Sequence, residues 1–203
     1  MFYRLHSKYK YTHAVTLPVI LIFLLTFKLL NAQTKFEKEI RIHESYIFPN
    51  ATAFVQALNF KKVKWYKEIG LNKIISYEAK AQKNKKKYSI EFSSEGILED
   101  VEIEIPFSRL SSPLMARIKG NLESAFEDYR IQKTQIQYIA SPETLLDFLI
   151  KEIKSDELQI HYEIIVIGKT EELYNSYEYL FDSKGNLIKK LMIITKYPDY
   201  IDY

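Results

Sequence analysis

Between Val63 and Ile105 the apolar residues return at every second position. Ile75, Tyr77, Ala79 and Ala81 do so, then Tyr88, Ile90 and Phe92, then Val101, Ile103 and Ile105, each with polar or charged neighbours. A period of two puts all of them on one face of pleated strands, so the stretch predicts an antiparallel sheet buried on one side and wet on the other. Lys83-Asn84-Lys85-Lys86-Lys87 breaks the alternation and caps a hairpin. Ser93-Ser94-Glu95-Gly96 makes a second turn, with Gly96 suited to a left-handed backbone.

The period lengthens elsewhere. Pro49 to Leu58 predicts a short helix with Phe54, Val55 and Leu58 on one side. Ser112-Pro113 opens a longer one carrying Met115, Ile118, Leu122, Ala125, Phe126 and Tyr129, an amphipathic stripe that belongs on the adjacent sheet. Strands are expected at Thr134–Ile139, Leu158–Ile167, Leu173–Phe181 and Leu187–Ile194, with an inserted helix at 141–153 that buries Leu145, Phe148 and Leu149. In the second half both strand faces are apolar: Ile165, Ile167, Leu180, Ile188, Met192 and Ile194 oppose Ile164, Val166, Phe181, Leu187, Leu191 and Ile193. The inserted helix is expected to cover the surplus face. Otherwise that face is an exposed apolar patch for a partner protein or a second copy, a reading to which the late cluster Tyr174, Tyr177, Tyr179, Tyr197, Tyr200 and Tyr203 adds.

Displaced by 89 positions, Tyr88, Ile90, Phe92, Gly96 and Leu98 fall on Tyr177, Tyr179, Phe181, Gly185 and Leu187. The same hairpin occurs twice, each time after further strands and a helix, so the chain reads as two helix-then-sheet units in tandem. The string Lys62-Val63-Lys64-Trp65-Tyr66-Lys67-Glu68, the Tyr88-Ser89-Ile90-Glu91-Phe92 strand with its Gly96 turn, and Val101 to Pro106 resemble the secreted PepSY-like proteins of the beta-lactamase-inhibitor-like (BLIP-like) type. The helix from Pro113 through Phe126 and Tyr129 to Ile131 and Lys133 fits the same pattern, and the likeness runs from Pro49 to Ile194. It implies a periplasmic or secreted α+β protein, usually duplicated, with no established catalytic residues and with relatives that bind and inhibit enzymes. This chain departs from the pattern in its inserted helix and in having no Trp in its second unit at the place of Trp65. The resulting expectation is α+β, two tandem helix-plus-antiparallel-sheet units after a signal peptide. The divisions are 1–32 signal peptide, 33–43 flexible lead-in, 44–106 first unit and 107–203 second unit.

Arg4, Lys8 and Lys10 precede an apolar run from Ala14 to Leu30 and the small-residue exit Asn31-Ala32-Gln33. That order is the grammar of a secretory signal, with cleavage after Ala32 and export to the periplasm or beyond; an uncleaved leader makes the chain a membrane-anchored envelope protein instead. Four of the 29 basic residues and none of the 26 acidic ones lie in the first 33 positions, so the remainder carries a formal charge of −1. A nucleic-acid surface is therefore not expected. The chain has no cysteine, which removes disulfides and thiol chemistry.

The chemistry-bearing residues are sparse. His43 and His161 stand 118 positions apart without a partner at catalytic spacing, and Gly168-Lys169-Thr170 lacks the first glycine of a phosphate loop, because position 163 is Glu163. Glu91, Asp100, Glu102 and Glu104 share the wet strand face; a small cation-dependent hydrolase built on Glu91, Glu102 and Glu104 requires them to converge in a concave pocket. The favoured expectation is a non-enzymatic module that binds a protein or peptide, including an enzyme to be restrained. It has no cofactor, metal or catalytic residues, and the aromatic residues Trp65, Tyr77, Tyr88, Tyr177 and Tyr179 form the binding surface.

Overall fold

The computed structural model describes residues 34–194. The expected leader, 1–32, and the late tyrosines Tyr197, Tyr200 and Tyr203 lie outside them. Ten strands and three α-helices follow in the order β1 Thr34–Lys35, β2 Glu37–Ile42, α1 Pro49–Ala57, β3 Val63–Gly70, β4 Ile75–Lys83, β5 Lys86–Ser93, β6 Leu98–Glu104, α2 Ser112–Ala125, β7 Asp128–Ile139, α3 Pro142–Lys151, β8 Gln159–Thr170, β9 Leu173–Asp182 and β10 Leu187–Ile193. The fold is mixed and sheet-rich, as the alternation predicts. Tyr129 is a difference: the expected helix ends at Ala125, Phe126 turns to extended backbone, and Tyr129 belongs to β7.

Residues 37–42, expected as part of a flexible lead-in, form an edge strand, and Thr34–Lys35 forms another. The sheet order is β1-β10-β9-β8-β7-β6-β5-β4-β3-β2. Only Phe36 separates β1 from β2 in sequence, yet they occupy opposite edges of this order. Thr34 and Lys35 run parallel to Met192 and Ile193, while Glu37 to Ile42 run antiparallel to Gly70 to Trp65. One N-terminal segment therefore bonds to both edges and draws the sheet into a ring. Register shifts at Glu91/Phe92, Ile131/Lys133 and Leu187/Lys189 add local bend and twist, the usual devices for closing a sheet.

The helices pack on the outside. Phe54 and Val55 of α1 and Leu145 of α3 join Trp65, Ala79, Ile90, Phe92 and Val101 in one buried cluster. Leu114, Ile118 and Leu122 of α2, with Phe126, cover Ile164, Val166, Tyr177, Tyr179 and Phe181 in another. The inserted helix thus covers the first half, with Phe148 against Tyr138 at 4.9 Å between ring centres, and not the second half's surplus face. The bulge after Leu187 also changes the parity of β10: Met192 packs with the α2 cluster. Leu191 instead stands opposite Glu178. Ile165, Ile167 and Leu180, on the face away from α2, are only partly buried, and Leu180 lines a hollow enclosed by the ring.

The two corresponding hairpins close alike. Ser93 N–H donates to Ile97 O at 2.8 Å and Gly96 N–H to Ser93 O at 2.9 Å; Asp182 N–H donates to Asn186 O at 2.9 Å and Gly185 N–H to Asp182 O at 3.0 Å. Gly96 and Gly185 have φ +75° and +82°. A side chain at Gly96 would strike Phe48 at the entry to α1, and one at Gly185 would press on Leu114 and Arg117 of α2. The lysine-rich hairpin turns at Asn84 and Lys85, both with positive φ, which matches the twist of the flanking strands.

Candidate functional site

Alternation assigns every strand residue to the outer, helix-covered face or to the inner one. Each of the five aromatic residues expected to bind goes outward. Trp65, Tyr177 and Tyr179 are buried in the two helix-covered clusters, and Tyr77 and Tyr88 are half-buried against the first. Their partners are hydrophobic and local: Trp65 lies 5.8 Å from Phe92, Phe126 lies 5.0 Å from Tyr177, and Tyr179 stacks on Phe181 at 6.0 Å. Trp65, Tyr177 and Tyr179 are core, because a helix occupies the face they turn to; presenting them to a ligand requires lifting α1 or α2. Gly168 is structural for a related reason: a Cβ there would lie 2.4 Å from the Phe126 ring.

The inner face is polar and nevertheless buried. Glu68, Glu78, Ser89, Glu102, Gln135 and Glu163 are only 3–9% exposed. Carboxylates on the free face of an open sheet meet water; these do not, because the strands opposite close over them. Glu68, Glu78, Glu102 and Glu163 line a hollow of about 380 Å³ whose walls include ten carboxylates and four lysines, while Ser89 and Gln135 border the cavity beside it. At one end the hollow is continuous, through Lys35, Glu37, Ser76 and Glu178, with an opening of about 780 Å³ bordered by Phe36, Leu71, Ile74 and Leu191. At the other it shares Glu78, Lys80 and Lys133 with an opening of about 520 Å³ that also carries Lys62, Lys64 and Lys87.

Two lysines already pair with carboxylates of the hollow, Lys35 part-buried and Lys80 at its exposed rim. Lys80 Nζ lies 2.8 Å from Glu39 and 2.9 Å from Glu78. Lys35 Nζ lies 2.6 Å from Glu178 and 3.3 Å from Glu37. Burial works against the Lys35 charge, but Glu178, Glu37 and Glu163 together outweigh it and hold its pKa above the ordinary lysine value. Both lysines tie the N-terminal segment to the rest of the ring. Ser89 donates to Glu78, Gln135 Nε2 donates to Glu102 at 2.7 Å, and Gln137 Nε2 to Asp100 at 3.0 Å.

Burial, followed by mutual repulsion, raises the remaining acids. Glu68 is pushed up to about 8 by burial and then by Glu37 and Glu78. Glu102 rises to about 8 by burial and Asp100, and Glu163 to about 8 by burial, Glu102 and Glu178. Asp100 rises to about 7 by burial and Glu163, and Glu91 lies well above the usual carboxylate range through burial and then Glu78 and Glu68. Of the carboxylates named from the sequence, Glu91, Asp100 and Glu102 do converge in the hollow. Glu104 sits at the lysine-rich opening, paired with Lys87 at 2.9 Å. Sequence reading missed Glu68, Glu78 and Glu163. Their polar parity within the alternation was visible, but the closure that buries them was not.

Among the described residues, the one group of three or more acidic or histidine side chains with ligand atoms within 4.8 Å of one another is Glu39, Glu68 and Glu78. The Lys80 ammonium already stands against two of the three. His161 points to Gln137 at 3.3 Å and His43 to Ser45 at 3.0 Å, so neither histidine is placed with a nucleophile-and-acid set.

No family model matches this chain, and no curated protein does. Among solved structures, the chain is similar to a DUF2874 family protein from Bacteroides ovatus, with a TM-score of 0.50 and 13% identity over 72% of this chain and 87% of that one. It is also similar to a BLIP-like protein from Bacteroides fragilis, with a TM-score of 0.43 and 15% identity over 77% of this chain and 94% of that one. At 13% identity the likeness to the Bacteroides ovatus protein is one of fold alone.

Proposed function

We propose that this chain is an exported, non-enzymatic binding module whose ligand, a protein or peptide, is recognised through the inner face of the closed sheet. The observation that carries this reading is the burial of Glu102, Glu163 and Gln135 inside a ring open at both ends. Burying carboxylates costs stability unless something repays it, and groups kept at such a cost are most often kept for a ligand. In this reading the module arose as two PepSY-like, BLIP-like units, 44–106 and 107–203, behind a leader cleaved after Ala32, and it works in the periplasm or outside the cell. Peptides selected from a displayed random library against residues 34–194 test it. Their affinity is expected to fall at least about tenfold for the Glu102→Gln, Glu163→Gln double variant. Peptides that bind this variant as tightly as the parent sink the inner-face reading.

The hydrolase reading has one observation on its side, the convergence of Glu91, Asp100 and Glu102. It is the weaker reading because Glu104 is paired with Lys87 at the opening, and because the one tight acidic triad is already neutralised in part by Lys80.

A further inference from the structure

We propose that the ligand group seated in the hollow is an organic cation, an alkylammonium or guanidinium head carrying several N–H donors. This deepens the inner-face reading and rests on it. The first ground is an unequal division of partners. Lys35 and Lys80 satisfy the carboxylates near the N-terminal segment. Deeper in, Glu91 has only the Ser89 hydroxyl at 3.3 Å, while Asp100 and Glu102 have one amide each. Glu163, more than nine-tenths buried, lines the hollow with neither a hydrogen bond nor an ion pair among the described residues. Asp100 Oδ1 and Gln135 Oε1 are likewise buried without a partner. All of these are acceptors, and the Lys133 ammonium that also lines the hollow acts on Glu102 and Glu163 only from a distance, with no ion pair to either among the described residues. The complement is therefore a further group that only donates, which describes ammonium and guanidinium.

Geometry separates such a cation from a metal ion. A bare divalent ion needs several oxygens gathered at about 2.0–2.6 Å from one point. Glu91, Asp100, Glu102 and Glu163 do not form a group of three with ligand atoms within 4.8 Å of one another; among the described residues that spacing occurs only at Glu39, Glu68 and Glu78, where Lys80 already sits. Wider-set acceptors suit the fork of a guanidinium or the spread donors of an ammonium. The two openings differ as well. The one carrying Lys62, Lys64, Lys80, Lys87 and Lys133 against only Glu78 and Glu104 keeps a net positive charge that repels an incoming cation. At the other, Lys35 and Lys189 are balanced by Glu37 and Glu178, and Phe36, Leu71, Ile74 and Leu191 offer apolar contact for an alkyl stem.

Calorimetric titration of the full chain at pH 8.5 with agmatine, with a short peptide bearing one arginine, and with calcium chloride decides the matter. Saturable binding of agmatine, of the peptide, or of both is expected, weakened at least about tenfold by Glu163→Gln. Agmatine alone identifies a free amine as the source, and the peptide alone identifies a partner's side chain. Calcium binding that Glu163→Gln abolishes, without amine binding, overturns the organic cation in favour of a metal. Amine binding unchanged by both Glu163→Gln and Glu102→Gln places it on the surface and overturns the proposal, as does no binding of any probe. In that last case, selected peptides that still depend on Glu102 and Glu163 leave the inner-face reading standing and remove only the cation. Glu163→Gln is isosteric and relieves a buried charge, so it is expected to fold; should its melting temperature fall below the parent's, Glu163→Asp keeps the charge, moves it, and is expected to weaken agmatine too.

Discussion

The two faces of one sheet solve burial in opposite ways. Outside, Trp65, Phe92, Tyr179 and Phe181 are covered by helices, and their stabilisation comes from removing apolar area from water. Inside, Glu68, Glu102 and Glu163 are covered by nothing but the rest of the sheet, and they are buried at a cost. Residues of the same strands, one position apart, thus play opposite energetic roles. The stable face is the one the sequence advertised for binding, and the strained face is the one with room for a ligand.

The comparison is broken most directly by truncating each face. Phe92→Ala on the outer face is expected to cost about 3–5 kcal/mol and to lower the melting temperature by roughly 10 °C or more, read by thermal denaturation. A loss under 1 kcal/mol would show that the first cluster is loosely packed. The inner face is expected to respond to pH instead. Acids whose pKa is raised on folding contribute stability that is fully present below their unfolded values, near 4, and that is lost as pH rises through about 7 for Asp100 and about 8 for Glu68, Glu102 and Glu163. Melting temperature is expected to fall by about 10 °C between pH 5 and pH 9, and Glu163→Gln to flatten that fall while leaving the pH 5 value nearly unchanged. A profile flat from 5 to 9 means that these carboxylates are hydrated and the ring is open.

Smaller effects sharpen the contrast. Lys35→Met strands Glu178 and Glu37 at the closure of the ring, and about 2 kcal/mol of destabilisation is expected, with amide exchange in β10 accelerating first. Uniform acceleration across the sheet would show that the N-terminal segment is not a separate latch. On the outer face, Tyr179→Phe removes a buried hydroxyl without a hydrogen-bond partner among the described residues, and a gain of about 1 kcal/mol in chemical denaturation is expected. A loss of that size would reveal a partner for the hydroxyl, such as a bound water.

Much of the outer face was legible because it follows from local rules. The alternation around Ile90 and Phe92, the proline-led starts at Pro49, Pro113 and Pro142, and the paired turn glycines Gly96 and Gly185 each produced the expected element within a few residues. The inner site was half legible: Glu91, Asp100 and Glu102 were singled out, while Glu68, Glu78 and Glu163 looked like solvated strand residues. The charged stretch from Glu37 to Arg41 read as a loose lead-in because alternating Lys, Glu and Arg carries no apolar period. It became strand because the edge of β3, with unpaired backbone groups, lay beside it.

Sequence alone determined that this chain would build antiparallel strands, back them with amphipathic helices, and turn two hairpins at Gly96 and Gly185, since each of these depends on neighbours within a few positions. Tertiary structure alone decided that the strands close into a ring and that the polar face becomes an interior. That outcome depends on where two edges more than 120 residues apart, at Gly70 and Met192, meet the same short segment, a relation that no local periodicity encodes.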